Sequence, residues 1–581
     1  MEYEALGLIL VTLLWVAWLM IAERRRRRAK EQGQLPPGPR PWPVVGNLFK
    51  LDPAVPHKTF ADLARKHGPI ITLWLGSMRI VVVSSSEAAR DMFKNHDVVL
   101  AGRKMREAMK GDLGTEGSLV MSSYGGHWRT LRRLSTSKFF VTSRLEAMRG
   151  VRGKCIDDML HHIEEASASG TKAIDVSRFL FLSMFNLVGN MMFSKDLLDP
   201  KAETGDDFFY NVSKVTELGA KPNVADFFPI LSWLDPQGLR RKTQFHLERA
   251  FEIAGGFMRE RLEGKENGHN EVDRKDYLDM LLEFRGDGVE EPSRFSSKGI
   301  NIAVLAGQMI SCRSLATNWR LILIKKSATG MVCVGSDCKF VGKRYFPTLV
   351  VRGGSLVSSS LPWPLSSSFI LSGDVWSRER HNLKYNVWAI SELLHNPETL
   401  TKVQAELRSV ISPTKKLEEK DFENLPYLIA VVKETLRLHP PLPVLVPHVS
   451  MDSCNMRGYY IPKDTQILVN VWAIGRDPNT WDEPLVFKPE RFLQPNMADF
   501  RGQHFEFLPF GSGRRMCPAM PLASRVLPLA LGSLLHSFDW ILADGLKPED
   551  MDMTERMGIT LRKAVSLKAI PRPYKGNHVG K

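Results

Sequence analysis

The chain has 581 residues, 43% of them hydrophobic and 25% charged, and a formal net charge of +15. This length exceeds the usual size of one domain, and the composition can bury a substantial core. Six cysteines without a framework spacing exclude a disulfide-stapled secreted domain and favour a reducing, cytosolic setting. The positive charge would admit nucleic acid as a partner, but no recognition module or interleaving of aromatic and basic residues accompanies it, so we predict no nucleic-acid partner.

Residues 1–22 are predicted to form a membrane anchor. The run Ala5–Ala22 is apolar apart from Thr12, and a helix of that length spans roughly 27 Å, just enough for a bilayer core. Residues 23–47 carry the basic stop-transfer run Arg24–Arg28 and a proline-rich hinge, Leu35–Asn47. Because positive residues flank a membrane helix on its cytosolic side, we predict a single-pass protein with a cytosolic body that contacts membrane lipid.

Residues 48–576 are predicted to form one mainly α domain with a minor β-sheet. Runs with a helical period or a strand pattern support this class. The predicted helices are Phe60–Lys66, Ser86–Asn95, Leu145–Ser167, Thr243–Leu262 and Pro397–Val410. The predicted strands are Ile70–Leu75, Ile80–Ser84 and Gln466–Val471.

Short motifs with charged residues occur at three places along this body. Trp128 and Arg132 form W-x-x-x-R, and Glu434 and Arg437 form E-x-x-R, so each pair lies on one helical face. Arg491, in the later sequence P-E-R-F, offers a second cation to the Glu434 carboxylate. An isolated ion pair of this spacing usually lies on the surface and contributes little to stability.

The cysteine loop, Phe507–Cys517, reads F-L-P-F-G-S-G-R-R-M-C. Gly511 and Gly513 permit turn conformations and close approach to a flat macrocycle, and Arg514 and Arg515 supply a positive field that favours a thiolate. A lone cysteine in such a loop is more often structural and inert. The order and spacing of the motifs upstream favour a thiolate that binds a haem iron.

With these motifs the chain resembles the cytochrome P-450 family of haem-thiolate monooxygenases, and within it the plant microsomal group, over nearly its whole length. The resemblance implies a cytochrome P-450 fold that holds haem b with Cys517 as the axial iron ligand. It also implies a buried charge network made by Glu434, Arg437 and Arg491. The implied haem-binding residues are Trp128, Arg132, His448, Phe510, Gly511, Arg515 and Cys517.

The resemblance further implies the reaction and its partners. We expect insertion of one oxygen atom of O2 into a small lipophilic molecule at the endoplasmic reticulum membrane, with electrons from NADPH delivered by NADPH-cytochrome P-450 reductase. A basic face near the cysteine loop would steer this acidic flavoprotein. Pro222–Gly238 and Gly545–Glu555 resemble plant members that act on terpenoids, especially monoterpenols such as geraniol, or on alkaloids.

Residues 306–386 depart from the family pattern. The family carries A/G-G-x-D/E-T-T/S on a helix across the distal haem face, where an acid and an alcohol relay protons. Here Met309 and Ile310 stand at those positions, and about eighty basic, serine-rich residues precede Val387–Leu394. The segment is either a functional insertion or the result of a retained intron or faulty gene model. We favour the second interpretation because long structureless insertions are rare. We therefore identify no catalytic acid and alcohol pair, and the alternative function is an impaired haem-binding protein or a misassembled chain.

Overall fold

The computed structural model describes residues 34–111, 117–198, 207–266, 276–286, 295–304, 385–495, 497–558 and 560–574. The predicted anchor, residues 1–22, and nearly all of the segment 306–386 lie outside the described residues. The helices with complete bounds, in chain order, are α1 Pro56–His67, α2 Ser86–Asn95, α3 Gly126–Leu134, α4 Thr142–Ala147, α5 Arg149–Ala166, α6 Val176–Phe193, α7 Asp207–Ala220, α8 Val224–Phe227, α9 Leu239–Glu266, α10 Tyr277–Leu282, α11 Tyr385–His395, α12 Pro397–Val410, α13 Pro426–Leu438, α14 Val471–Ile474 and α15 Met520–Ser537. Residues 297–304 are also helical.

The strands are short and form small sheets. They are β1 Ile70–Leu75, β2 Met78–Val83, β3 Ile174–Asp175, β4 His448–Val449, β5 Cys454–Met456, β6 Tyr459–Ile461, β7 Gln466–Val469, β8 Phe538–Leu542, β9 Glu555–Met557, β10 Leu561–Lys563 and β11 Lys568–Pro573. The largest described sheet has the order β1-β2-β7-β4, in which β2 and β7 are parallel and the other pairs antiparallel. Strands β3, β11 and β8 form a second sheet, and β9 pairs with β10 in a hairpin. The fold is thus mainly α with a minor β component, as the sequence predicts.

The predicted elements agree with the structure except in their ends and in one break. Ser86–Asn95, Pro397–Val410 and Ile70–Leu75 have the predicted bounds. The predicted single helix Leu145–Ser167 is two helices, α4 and α5, because Met148 between them has a φ of −92° and a ψ of 9°, outside the helical region.

The helical core around α15 is built from helices that bury most of their surface. Helix α15 packs against α5, α11, α12 and α13, and α6 packs against α5. Among the described residues, α6 alone is long and apolar enough to cross a membrane, and 83% of that stretch is buried inside the protein. Its apolarity therefore has a sufficient explanation in core packing.

Candidate functional site

The cysteine loop is closed by its own backbone. Gly511 and Gly513 have positive φ angles of 72° and 66°, which glycine adopts without steric cost. At Gly513 a β-carbon would also lie 2.4 Å from a carboxylate oxygen of Asp97. The amide of Cys517 donates to the carbonyl of Phe510 at 3.0 Å. The loop therefore delivers the Cys517 thiol just before α15 begins.

Asp97, which the sequence did not single out, binds this loop from the side. Both of its carboxylate oxygens accept from the backbone amide of Arg514 at 3.3 Å, and Oδ2 lies 3.3 Å from Nε of the same arginine. Burial raises the pKa of the Asp97 carboxyl, and the donors of Arg514 oppose that rise. Asp97 thus fixes the orientation of the Gly513–Arg514 peptide.

Helix α3 presents Trp128 and Arg132 toward the cysteine loop from one face. Trp128 Nε1 donates to the carbonyl of Leu119 at 3.1 Å, and the Arg132 guanidinium donates to the carbonyl of Met516. Burial lowers the pKa of Arg132, and attraction to the Cys517 sulfur opposes this shift. The positive charge that favours a thiolate is therefore next to the cysteine in space.

Arg515 adds a second guanidinium to the same place. It lies over the Trp128 ring, 4.5 Å from the ring centre, and donates to the carbonyls of Ala101 at 2.9 Å and Ser122 at 2.7 Å. Burial and the neighbouring Arg132 lower its pKa to about 10. At neutral pH it stays charged, since that value is well above 7.

His448 lies in β4 and is fully buried against the same site. Its Nδ1 lies 2.8 Å from the carbonyl of Leu100, and because a carbonyl only accepts, Nδ1 carries the proton. Burial, and then the charge of Arg103, hold the pKa of His448 well below its ordinary value. The imidazole is therefore neutral here, with Nε2 as an acceptor, and an acid group placed beside it would raise its pKa.

All seven predicted haem-binding residues line one cavity of about 1120 Å³, a volume that includes its open mouth. Its other lining residues are Phe93, Arg103, Leu119, Val120, Leu436, Pro441, Leu442, Leu445, Val446, Pro509, Ser512, Met516, Pro518, Ala523 and Leu527. The described lining holds three arginines and no Asp or Glu. The Cys517 thiol, a cationic end made by these arginines, and apolar walls fit a flat iron macrocycle that carries acid groups.

Glu434, Arg437 and Arg491 form one network buried away from this cavity. Arg437 Nε and Nη2 donate to the two Glu434 carboxylate oxygens at 2.7 and 2.8 Å, and Arg491 Nε donates to Oε1 at 3.1 Å. Exposed fractions are 0% for Glu434, 1% for Arg437 and 6% for Arg491. The pair is therefore not the solvated surface pair that its spacing alone would indicate.

The Cytochrome P450 family model matches residues 36–309 and 387–569. The chain belongs to this family and is a haem-thiolate monooxygenase, a class that receives electrons from NADPH through a reductase.

Its relatives and its fold agree with that membership. The chain is 40% identical to iridoid oxidase of Catharanthus roseus, over 94% of each chain. It is 36% identical to geraniol 8-hydroxylase of the same plant, over 97% of this chain and 98% of that one. A zebra fish cytochrome P450 solved with abiraterone has a TM-score of 0.63 at 22% identity and covers 89% of this chain and 100% of its own. That similarity establishes the fold alone.

Replacing Glu434 with Ala should prevent haem incorporation. The change leaves two buried guanidinium groups without their carboxylate, and breaking a buried pair in this way costs about 3 to 5 kcal/mol. We expect a lower denaturation midpoint and loss of haem absorbance in the purified protein. Glu423→Ala, an exposed carboxylate just before α13, is the control and should behave like the parent. A Glu434→Ala variant that binds haem and melts like the parent would contradict the assigned role.

Proposed function

We propose that this chain hydroxylates a small lipophilic plant metabolite of the terpenoid class, with alkaloids as the second candidate class. The single observation that carries the proposal is the convergence of the Cys517 thiol and the cationic end on one cavity with apolar walls. The terpenoid class is supported by similarity to proteins named iridoid oxidase and geraniol 8-hydroxylase. These relatives favour an oxidising enzyme over a haem-binding protein without catalysis.

In this proposal each residue has a limited task. Cys517 would hold the haem, which would supply the oxygen-inserting chemistry. Arg132 and Arg515 would hold acid groups of the macrocycle by charge-assisted hydrogen bonds. His448 would join them where an acid group beside Nε2 makes the charged imidazole favourable. Apolar side chains such as Leu445 keep water out and hold the substrate by burial.

With reductase, NADPH and O2, we expect the chain to convert geraniol, the test substrate, into a product one oxygen atom heavier. Cys517→Ala should abolish both the product, measured by mass spectrometry, and the carbon monoxide difference band of thiolate-ligated haem. Cys454→Ala, at the half-buried cysteine of β5, is the matched control and should retain both. A thiolate-type band from Cys517→Ala would refute the ligand assignment. Oxidation of an alkaloid but not of geraniol would select the second substrate class.

The segment 306–386 remains a separate proposal within the domain 48–576. The family match stops at residue 309 and resumes at residue 387, which supports a retained intron or an insertion in a helix of the family. The same assay extends to a chain in which A-G-x-E-T-T replaces the segment. A positioned general acid contributes about 10² to 10⁴-fold, so we expect the replaced chain to turn over faster. Equal rates would mean that other groups deliver protons.

A basic surface near the cysteine loop supports the reductase as the specific electron donor. Helix α3 points Arg132 toward the cavity and leaves Arg129 and Arg133, one turn apart, exposed on an adjacent face. Lys138, which follows α3, and Arg514, in the cysteine loop, are also exposed in this region. This arrangement puts positive charge close to the thiol, where an acidic flavoprotein would dock to pass electrons.

Reversing two of these charges should weaken reductase docking. For Arg129→Glu with Arg133→Glu we expect the reductase concentration at half-maximal rate of haem reduction to rise at least fivefold at low salt. The difference between variant and parent should shrink near 1 M salt, where the Debye length is about 3 Å. The control, Lys568→Glu with Arg572→Glu on β11, makes the same charge change elsewhere. Equal effects of both pairs, or an effect insensitive to salt, would contradict local docking.

We propose that the body also touches the membrane through an apolar patch, Trp42, Val44, Phe49, Ile230, Trp233 and Leu234. These side chains are between 54% and 81% exposed. Both halves of the patch attach to one hairpin turn, since Gly76 N donates to Val45 O at 3.1 Å and Ser77 N to Phe227 O at 2.9 Å. A large exposed apolar surface that includes part of the predicted hinge fits a lipid interface. A single-pass anchor in the endoplasmic reticulum, with residues 1–22 in the bilayer, completes this proposal.

A protein that lacks residues 1–33 should still bind phosphatidylcholine vesicles through this patch. Ile230→Ser with Trp233→Ser should reduce the vesicle-bound fraction in flotation about tenfold or more, because burial of each large apolar side chain is worth about 1.5 to 3 kcal/mol. Val565→Ser removes a side chain that is 54% exposed on another surface and should change nothing. Unchanged flotation of the double variant would rule out the patch.

A further inference from the structure

A second buried charge cluster lies outside the haem cavity and has Glu555 at its centre. Glu555, the first residue of β9, is the last residue of the segment Gly545–Glu555 noted in the sequence. Its side chain is only 5% exposed. His439 Nδ1 lies 3.2 Å from Oε1, Lys58 Nζ lies 3.2 Å from Oε2, and Arg476 Nη2 lies 3.5 Å from Oε1. One carboxylate thus joins α1, the end of α13, and the turn after α14.

Two aromatic groups complete the surroundings of this carboxylate. Trp472 Nε1 donates to Glu555 Oε2 at 3.1 Å, and the Arg476 guanidinium lies over the Trp472 ring, 4.1 Å from its centre. His57 Nε2 lies 3.6 Å from Oε2. Burial would raise the pKa of Glu555, but His439, His57 and Arg476 outweigh it and hold the pKa well below its usual range.

His439 is fixed on every side by this arrangement. Its Nε2 lies 2.6 Å from Oε1 of Glu392 on α11, opposite the contact with Glu555. Its ring stacks on Trp388 with centres 3.8 Å apart and planes 1° apart. Such a ring can neither rotate nor shift without losing a hydrogen bond or a stacking contact.

The cluster is tied to the cavity by the chain that follows His439. Pro441 O accepts from the amide of Leu561 on β10 at 2.9 Å, and Pro443 O accepts from the amide of Trp472 at 3.1 Å. Strand β10 is the partner of β9, with Glu555 opposite Lys563. This chain is therefore supported by β10 and by Trp472, and Glu555 contacts or pairs with both.

The supported chain is one wall of the haem cavity. Pro441, Leu442, Leu445 and Val446 all line the cavity that Cys517 faces, and they begin two residues after His439. A displacement of His439 or of the β9–β10 hairpin would move apolar side chains that border the space beside the cysteine. Packed walls transmit such shifts because protein interiors have few voids.

We propose that Glu555 and His439 are positioning residues that fix the Pro441–Val446 wall and so determine how a ligand lies against the haem. Neither residue contacts the ligand, and their effect passes through the Leu561 and Trp472 amides. The inference depends on the haem site and not on the proposed terpenoid substrate. Its test can therefore succeed even if geraniol is not oxidised.

The test compares two iron ligands of different size. Imidazole and 4-phenylimidazole both bind a haem iron through nitrogen, and the phenyl ring of the second must fit beside the wall. For Glu555→Gln, spectral titration should show imidazole affinity within twofold of the parent and 4-phenylimidazole affinity changed at least fivefold. The carbon monoxide band should remain of the thiolate type. Glu549→Gln, an exposed acid in the same segment, should leave both affinities unchanged.

A second variant keeps the test decisive if Glu555→Gln does not fold. Glu555→Asp keeps the charge among the cations and shortens the reach by one methylene, so it should show the same selective change. An unchanged ratio of the two affinities in both variants would overturn the proposal. An equal loss of both affinities, or loss of haem from both variants, would also overturn it, because Glu555 would then support the fold as a whole.

Discussion

The end of the molecule that carries the Cys517 cavity depends on the burial of the Glu434 carboxylate between two arginines. Removing such a charge from water costs several kcal/mol, and the cost is offset only where geometry and further hydrogen bonds are good. Here Arg437 also donates to the carbonyls of Gly475 and Pro484, and Arg491 to that of Asp482 at 2.8 Å. These donors satisfy carbonyls in a stretch of chain that is otherwise held by turns and one short 3-10 helix, Pro489–Phe492. The ion network therefore ties residues 475–491 to α13.

That order is passed to the cysteine loop by aromatic contacts. The Arg437 guanidinium lies 5.2 Å from the centre of the Trp481 ring. Trp481 packs near Phe492, with ring centres 5.8 Å apart, and Phe492 packs on Phe507 at 5.2 Å. Phe507 is the first residue of the cysteine loop and is 2% exposed. A charge pair on α13 thus supports the backbone that presents the thiol, although it lies outside the cavity.

The sequence predicted what depends on local spacing and missed what depends on distant partners. The pairs Glu434 with Arg437 and Trp128 with Arg132 are visible because one helical turn places them together. Asp97 meets Arg514 across 417 positions, and Glu555 meets His439 across 116, so no pattern within a window reveals either contact. The same limit applies to the break at Met148, where the helical period continues although the backbone does not.

Charge is divided between the inside and the outside of the cavity wall. The arginines of the described lining bind backbone carbonyls, among them the two contacts of Arg515, while Glu434 and Glu555 are saturated by donors behind the wall. Because a carboxylate inside the cavity would neutralise this field, the separation leaves the positive potential available to a thiolate and to the acid groups of a ligand. The sequence K-E-T-L-R-L-H places Glu434, Arg437 and His439 within six residues, so the end of α13 and the residue that follows it serve both networks. Gly475 and Arg476 connect them, since the first accepts from Arg437 and the second contacts Glu555. The support of the thiol and the support of the cavity wall are therefore coupled through adjacent peptides.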